Sequence, residues 1–179
     1  ILDRSGDFDL RDRVYLDGAA HGPMPRRSLD AARAALDWKR DPSTLTDSEY
    51  FALPDRIRGA AAQLMNCAPT SVAIATGASH GISLVACGLD WEPADHVLVP
   101  KGEFPANNLP WRDLARRGVE VEFVEPDAIE AAMRPTTRLV AVGHVNFANG
   151  RRIDLAALGS RRADVGALMA VDASQSLGV

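Results

Sequence analysis

The chain has 179 residues, 46% of them hydrophobic, and a formal net charge of −4, a balance that suits a globular protein with a substantial core. Its acidity disfavours nucleic acid as the main partner, because gripping a phosphate backbone takes a concentrated basic face; the densest basic pairs, Arg151-Arg152 and Arg161-Arg162, read as solvated surface. No apolar run reaches membrane-spanning length, which argues against a membrane partner, and the opening Ile1-Leu2-Asp3-Arg4-Ser5 is not a signal peptide.

Residues 1–25 are polar and then rich in small residues and proline, including Tyr15-Leu16-Asp17-Gly18-Ala19-Ala20-His21-Gly22-Pro23. This reads as an irregular arm. A helix is predicted over 26–38, where Leu29, Ala32 and Leu36 share one face. A second is predicted over 47–66, bent or restarted at Pro54, whose nitrogen cannot donate a helical hydrogen bond. The two cysteines, Cys67 and Cys87, lie in apolar helical contexts without metal-ligand spacing. They are expected to be buried free thiols of a reducing, cytoplasmic environment.

From Ser71 the texture changes. Strand-length apolar runs at 72–75, 96–99, 119–124, 138–145 and 167–171 alternate with helical spacing at 79–89, 109–117, 128–133 and 154–163. That alternation, with strands apolar on both faces, predicts an α/β fold: a mostly parallel central sheet flanked by helices, preceded by the arm and two helices. The expected organisation is 1–70 for the arm and its helices and 71–179 for the sheet domain.

In such sheets ligands gather at the carboxyl ends of the strands, so the loops there carry the functional reading. After 72–75 comes Thr76-Gly77-Ala78-Ser79-His80-Gly81. Amides around Gly77 and Ala78, together with the Ser79 hydroxyl, suit a phosphate at a helix N-terminus; an ordinary N-cap by Ser79 is the alternative. After 96–99, Phe104, held by Pro105, offers a ring to stack on a planar group or to plug the core beneath the loop. After 138–145, Asn146 offers an amide to a ligand or ordinary turn chemistry beside Gly150, while His144 reads as a mid-strand core histidine. After 167–171 come Asp172 and Gln175. A poorly solvated carboxylate needs a partner, and a pyridine nitrogen is a natural one, kept protonated so that the ring draws electrons; capping the next helix is the alternative for Asp172. Gln175 is placed to reach a ring hydroxyl.

Taken together, these segments resemble the large domain of the class V aminotransferase family, fold-type-I enzymes that use pyridoxal 5′-phosphate (PLP) and include cysteine desulfurases, selenocysteine lyases, isopenicillin N epimerase-like proteins and kynureninase. Tyr15-Leu16-Asp17-Gly18-Ala19-Ala20 is similar to the family's Tyr-Leu-Asp-Asn-Ala-Ala arm. Thr76-Gly77-Ala78-Ser79-His80-Gly81-Ile82 resembles its phosphate loop, and Glu103-Phe104-Pro105-Ala106-Asn107-Asn108-Leu109-Pro110-Trp111 its Glu-His-His-Ala-Asn-x-x-Pro-Trp segment. His144-Val145-Asn146-Phe147-Ala148-Asn149-Gly150 resembles His-Val-Ser-Asn-x-x-Gly, and Val171-Asp172-Ala173-Ser174-Gln175-Ser176 resembles Val-Asp-Gly-Ala-Gln-Ser.

The resemblance implies PLP as cofactor, contacted by Gly77, Ala78, Ser79, Phe104, Asn146, Asp172 and Gln175. It implies an amino-acid substrate near which His21 sits (a surface turn being the alternative for His21), and a homodimer. Transaminase, epimerase and lyase chemistry all pass through a Schiff base between cofactor and substrate (the external aldimine), so the segment does not choose among them. Phe104 stands where desulfurases keep a proton-handling histidine, which leaves stacking without acid–base help. The family's Schiff-base lysine follows the Asp-x-x-Gln segment, whereas Lys39 and Lys101, the two lysines here, both precede it. The expectation is therefore an amino-terminal and large-domain portion whose catalytic lysine lies beyond Val179, inactive as 179 residues. A non-catalytic module that binds cofactor or partner without turnover is the alternative.

Overall fold

The computed structural model describes residues 5–10 and 13–178; the remainder, which takes in most of the opening segment read as lacking a signal peptide, lies outside the described residues. The chain divides into two units, Ile1–Val72 and Ala73–Val179, each taken here by itself.

In the first unit an irregular arm leads to α1 (Arg26–Arg40) and α2 (Asp47–Met65), with short 3-10 turns at Ser5–Asp7, Pro42–Thr44 and Pro69–Ser71. α2 starts on a reciprocal cap. The Thr46 hydroxyl accepts the Glu49 amide, and the Glu49 carboxylate accepts the Thr46 amide at 3.0 Å. Pro54 neither restarts nor breaks α2, which runs through it without interruption. The cap and the turns on either side supply enough propagation to carry one missing donor. α1 buries no residue, and Leu36 on its apolar stripe is 67% exposed.

The second unit is built on four parallel strands in the order β2-β1-β3-β4: β1 (His96–Pro100), β2 (Glu120–Val124), β3 (Thr137–Gly143) and β4 (Leu168–Asp172). Alternation along each strand sends side chains to two cores. Val97, Val99, Leu139 and Ala141 meet Ala86 of α3 (Ala78–Gly88) and Trp111 of α4 (Leu109–Asp113). On the other face Leu98, Val140 and Val142 meet Ile129 of α5 (Ile129–Ala132) and Leu158 of α6 (Leu155–Asp164). β1, flanked on both sides and covered on both faces, is buried at every residue. Gly118, at φ 81°, ends the turn before β2 in a conformation that disfavours a side chain.

Three expectations are corrected. Residues 72–75 form no strand. An extended run becomes one only when a neighbour takes its amides and carbonyls, and among the described residues none pairs with it; Ile74 is left 49% exposed. His144 is not mid-strand, because β3 ends at Gly143 and the chain folds back through the Val145–Arg152 bridge. Both cysteines are exposed. Cys67 follows the left-handed Asn66 that closes α2, and Cys87 follows the buried Ala86 one residue before the end of α3.

Candidate active site

The carboxyl ends of β1, β3 and β4 lie side by side, and the loops leaving them are tied together by side chains rather than by ladder bonds. Glu103 is the central tie. Its Oε1 accepts the Gly143 amide at 2.8 Å and its Oε2 accepts from Asn107 Nδ2 at 3.3 Å. Asn107, itself buried, accepts in turn from Trp111 Nε1 at 3.0 Å. Burial raises the Glu103 pKa, the hydrogen bonds from Gly143 and Asn107 oppose the rise, and the nearby Asp172 charge adds to it. Gly143 has no room for a side chain, since a Cβ there would lie 2.6 Å from Glu103 Oε2.

The tie positions Phe104, next in sequence. Its ring is 49% exposed and meets Phe147 edge to face, centroids 5.1 Å apart and planes at 84°. The contact holds the ring in place while nearly half its surface stays open. Phe104 also shares a groove of about 420 Å³ with Ser79 and Ser83 of α3. α3 starts after Gly77 without a side-chain cap; the His80 amide closes onto the Gly77 carbonyl at 3.1 Å, and the exposed Ser79 stands in a helix N-terminus of the kind that suits an anion. The Ser79 hydroxyl is therefore not spent as the N-cap. His80 Nδ1 meets Thr76 Oγ1 at 3.1 Å and steadies that turn.

Asn146 joins two loops. Its Nδ2 donates to the Gly102 carbonyl at 3.0 Å, and its Oδ1 accepts the amides of Ala148 and Asn149. One N–H remains for a ligand. Asp172 is the last residue of β4 and half-buried; its Oδ1 accepts the Ser174 amide at 3.0 Å, and its backbone carbonyl accepts the His144 amide at 3.0 Å. His144 Nδ1 bonds Ser176 Oγ at 2.8 Å, which ties β3 to the turn after β4 that carries the half-buried Gln175. His21 belongs to the first unit, exposed, its carbonyl accepting from the Tyr15 hydroxyl at 2.7 Å.

The structure thus gathers Ser79 with Phe104 in one groove; Asn146 bonds the same loop at Gly102, and Asp172 stands opposite the Gly143 that Glu103 holds. Sequence reasoning gave Glu103, Asn107 and Gly143 no role. A signal was present in a carboxylate three residues past β1, a strand buried at every residue, a position where burial demands partners.

A family model described as aminotransferase class-V matches residues 14–179. The chain is 36% identical to a probable cysteine desulfurase of Methanothermobacter thermautotrophicus over 94% of its own length and 45% of that protein's. It is 35% identical to cysteine desulfurase IscS of Pseudomonas fluorescens over 92% and 45%. Among solved structures it resembles a mutant of the lyase C-DES with glycine covalently linked to the PLP cofactor (TM-score 0.88, 24% identity, 99% of this chain and 51% of that one). It also resembles cysteine desulfurase CsdA from Escherichia coli (TM-score 0.81, 22% identity, 96% and 48%). The chain spans about half the length of the curated relatives it matches.

Proposed function

Because the chain belongs to the aminotransferase class-V family, we propose that it forms the amino-terminal part of a PLP-dependent enzyme acting on an amino acid. The observation that carries the reading is a half-buried carboxylate, Asp172, at the end of β4, whose charge bears on Glu103 at the base of a loop that presents an open aromatic ring. The donor set fits the cofactor. It has amides and a hydroxyl for a phosphate, a ring for a planar heterocycle and an anion for a pyridinium.

In this reading Ser79 and the amides around Gly77 and Ala78 hold the phosphate, the helix dipole adding to the attraction. Phe104 stacks on the ring. Asp172 accepts a hydrogen bond from the pyridinium N–H and so keeps the proton on the ring nitrogen. Gln175 and the remaining Asn146 N–H orient the ring hydroxyl. PLP, when bound, supplies an electron sink for charge developing at the substrate's α-carbon. Phe104 carries no titratable proton, so proton transfer at that face falls to another group. The relatives named as cysteine desulfurases place a sulfur amino acid among the substrates to assay.

The test is calorimetric titration with 4′-deoxypyridoxine 5′-phosphate, which keeps the phosphate, ring and pyridine nitrogen but forms no bond to a lysine. The protein carrying this segment is expected to bind it saturably. Asp172→Asn, losing a charge-assisted hydrogen bond, should weaken binding roughly tenfold to a hundredfold, and Ser79→Ala about tenfold. Absence of saturable binding, or equal affinity in all three proteins, overturns the assignment.

A further inference from the structure

At the opposite, amino-terminal end of the sheet the face that carries Leu98 and Val124 turns polar. The register opposes His96 of β1 to Glu120 of β2, and two residues along the same face of β2 is Glu122. Ligand-capable atoms of these three side chains all lie within 4.8 Å of one another.

Two features set the cluster apart from an ordinary surface group of acids. First, His96 is 0% exposed. Its Nε2 lies 3.1 Å from Glu122 Oε2 but too far off the ring-nitrogen axis for an aligned hydrogen bond, so the atom is left without one. Second, the Nε of Arg134, whose guanidinium pairs with Glu120, is also buried and unsatisfied. Two of the three buried side-chain nitrogens lacking a hydrogen bond among the described residues thus sit in this one cluster. Orphaned buried polar atoms call for a missing water or ion.

We propose that His96, Glu120 and Glu122 bind a divalent transition-metal cation, Zn²⁺ being the best match. His96 Nδ1 is within 2.9 Å of Thr137 Oγ1. If Nδ1–H donates to that oxygen, Nε2 is the nitrogen left with a free lone pair, an arrangement typical of metal-bound histidine. The 3.1 Å between Nε2 and Oε2 suits two ligands about 2.0–2.2 Å from a shared tetrahedral ion. Two carboxylates against one guanidinium leave a negative charge for the ion to neutralise. A water in the fourth position accepts the Arg134 Nε–H.

The experiment titrates the protein carrying this segment with Zn²⁺ against a competing chelator dye, on a Cys67→Ser, Cys87→Ser background that removes the exposed thiols. One ion per chain is expected. Glu122→Gln changes a side chain that is 41% exposed and so leaves the fold intact; it should weaken binding about tenfold or more. The His96 Nε2 nitrogen resonance should shift on Zn²⁺ addition. The site is overturned by absence of saturable binding, by affinity unchanged in Glu122→Gln, or by a His96 resonance that stays put while Zn²⁺ binds elsewhere.

Discussion

At the scale of single residues, the carboxyl-end loops depend on one half-buried carboxylate and one absent side chain. Gly143→Ala would drive a Cβ to within 2.6 Å of Glu103 Oε2. The Glu103 hydrogen bonds would have to break or the strand end shift, so a loss of about 1–3 kcal/mol is expected in urea unfolding. Glu103 itself gives a pH signature. Its folded pKa is raised, chiefly by burial, so its contribution to stability is complete below the ordinary carboxylate range and declines as pH rises through the raised value. Glu103→Gln does not titrate. The stability of the wild type relative to Glu103→Gln should therefore grow as pH is lowered from neutral, and a pH-independent difference would contradict the assignment. Asp172 and Phe104 were legible in the sequence because strand-end positions follow from the αβ alternation. Glu103 was not, because its role depends on Gly143, forty residues away and adjacent only once β1 and β3 pair.

At the scale of elements, local rules located most helices to within two residues and failed where long-range pairing decides. α6 starts on Asp154, whose carboxylate accepts the amides of Ala156 and Ala157 at 2.9 and 3.0 Å, and those bonds lower its pKa. A lowered folded pKa contributes stability above the unfolded value and loses it as pH falls through the folded one. Asp154→Ala should thus destabilise the chain at neutral pH, and the difference should shrink in acid, read by urea unfolding at both conditions. α4 is anchored by Trp111, fully buried, through its bond to Asn107. Trp111→Phe leaves the Asn107 oxygen without that donor and should cost about 1–3 kcal/mol. The segment 72–75 has the apolar, β-branched content of a strand and is not one. Composition sets the preference for extended backbone, whereas strand status requires a partner edge.

At the scale of the whole molecule, the parallel architecture was readable because apolar runs on both strand faces leave few alternatives to a covered sheet. What sequence periodicity could not show is how much apolar surface stays open. Leu84 and Val85 of α3, and Leu168 and Val171 of β4, are 55%, 40%, 41% and 38% exposed. A chain that covers about half the length of its relatives is expected, in isolation, to bind an apolar dye and to associate with rising concentration, which sedimentation velocity would detect. No helix among the described residues is long and apolar enough to cross a membrane.

The central claim is that Asp172 holds a protonated pyridine nitrogen. The most direct measurement is the nitrogen-15 shift of ring-labelled 4′-deoxypyridoxine 5′-phosphate bound to the protein carrying this segment. A protonated nitrogen is expected at neutral and mildly alkaline pH, and its loss in Asp172→Asn. A bound ring that is unprotonated in the wild type, or whose protonation survives the substitution unchanged, would contradict it.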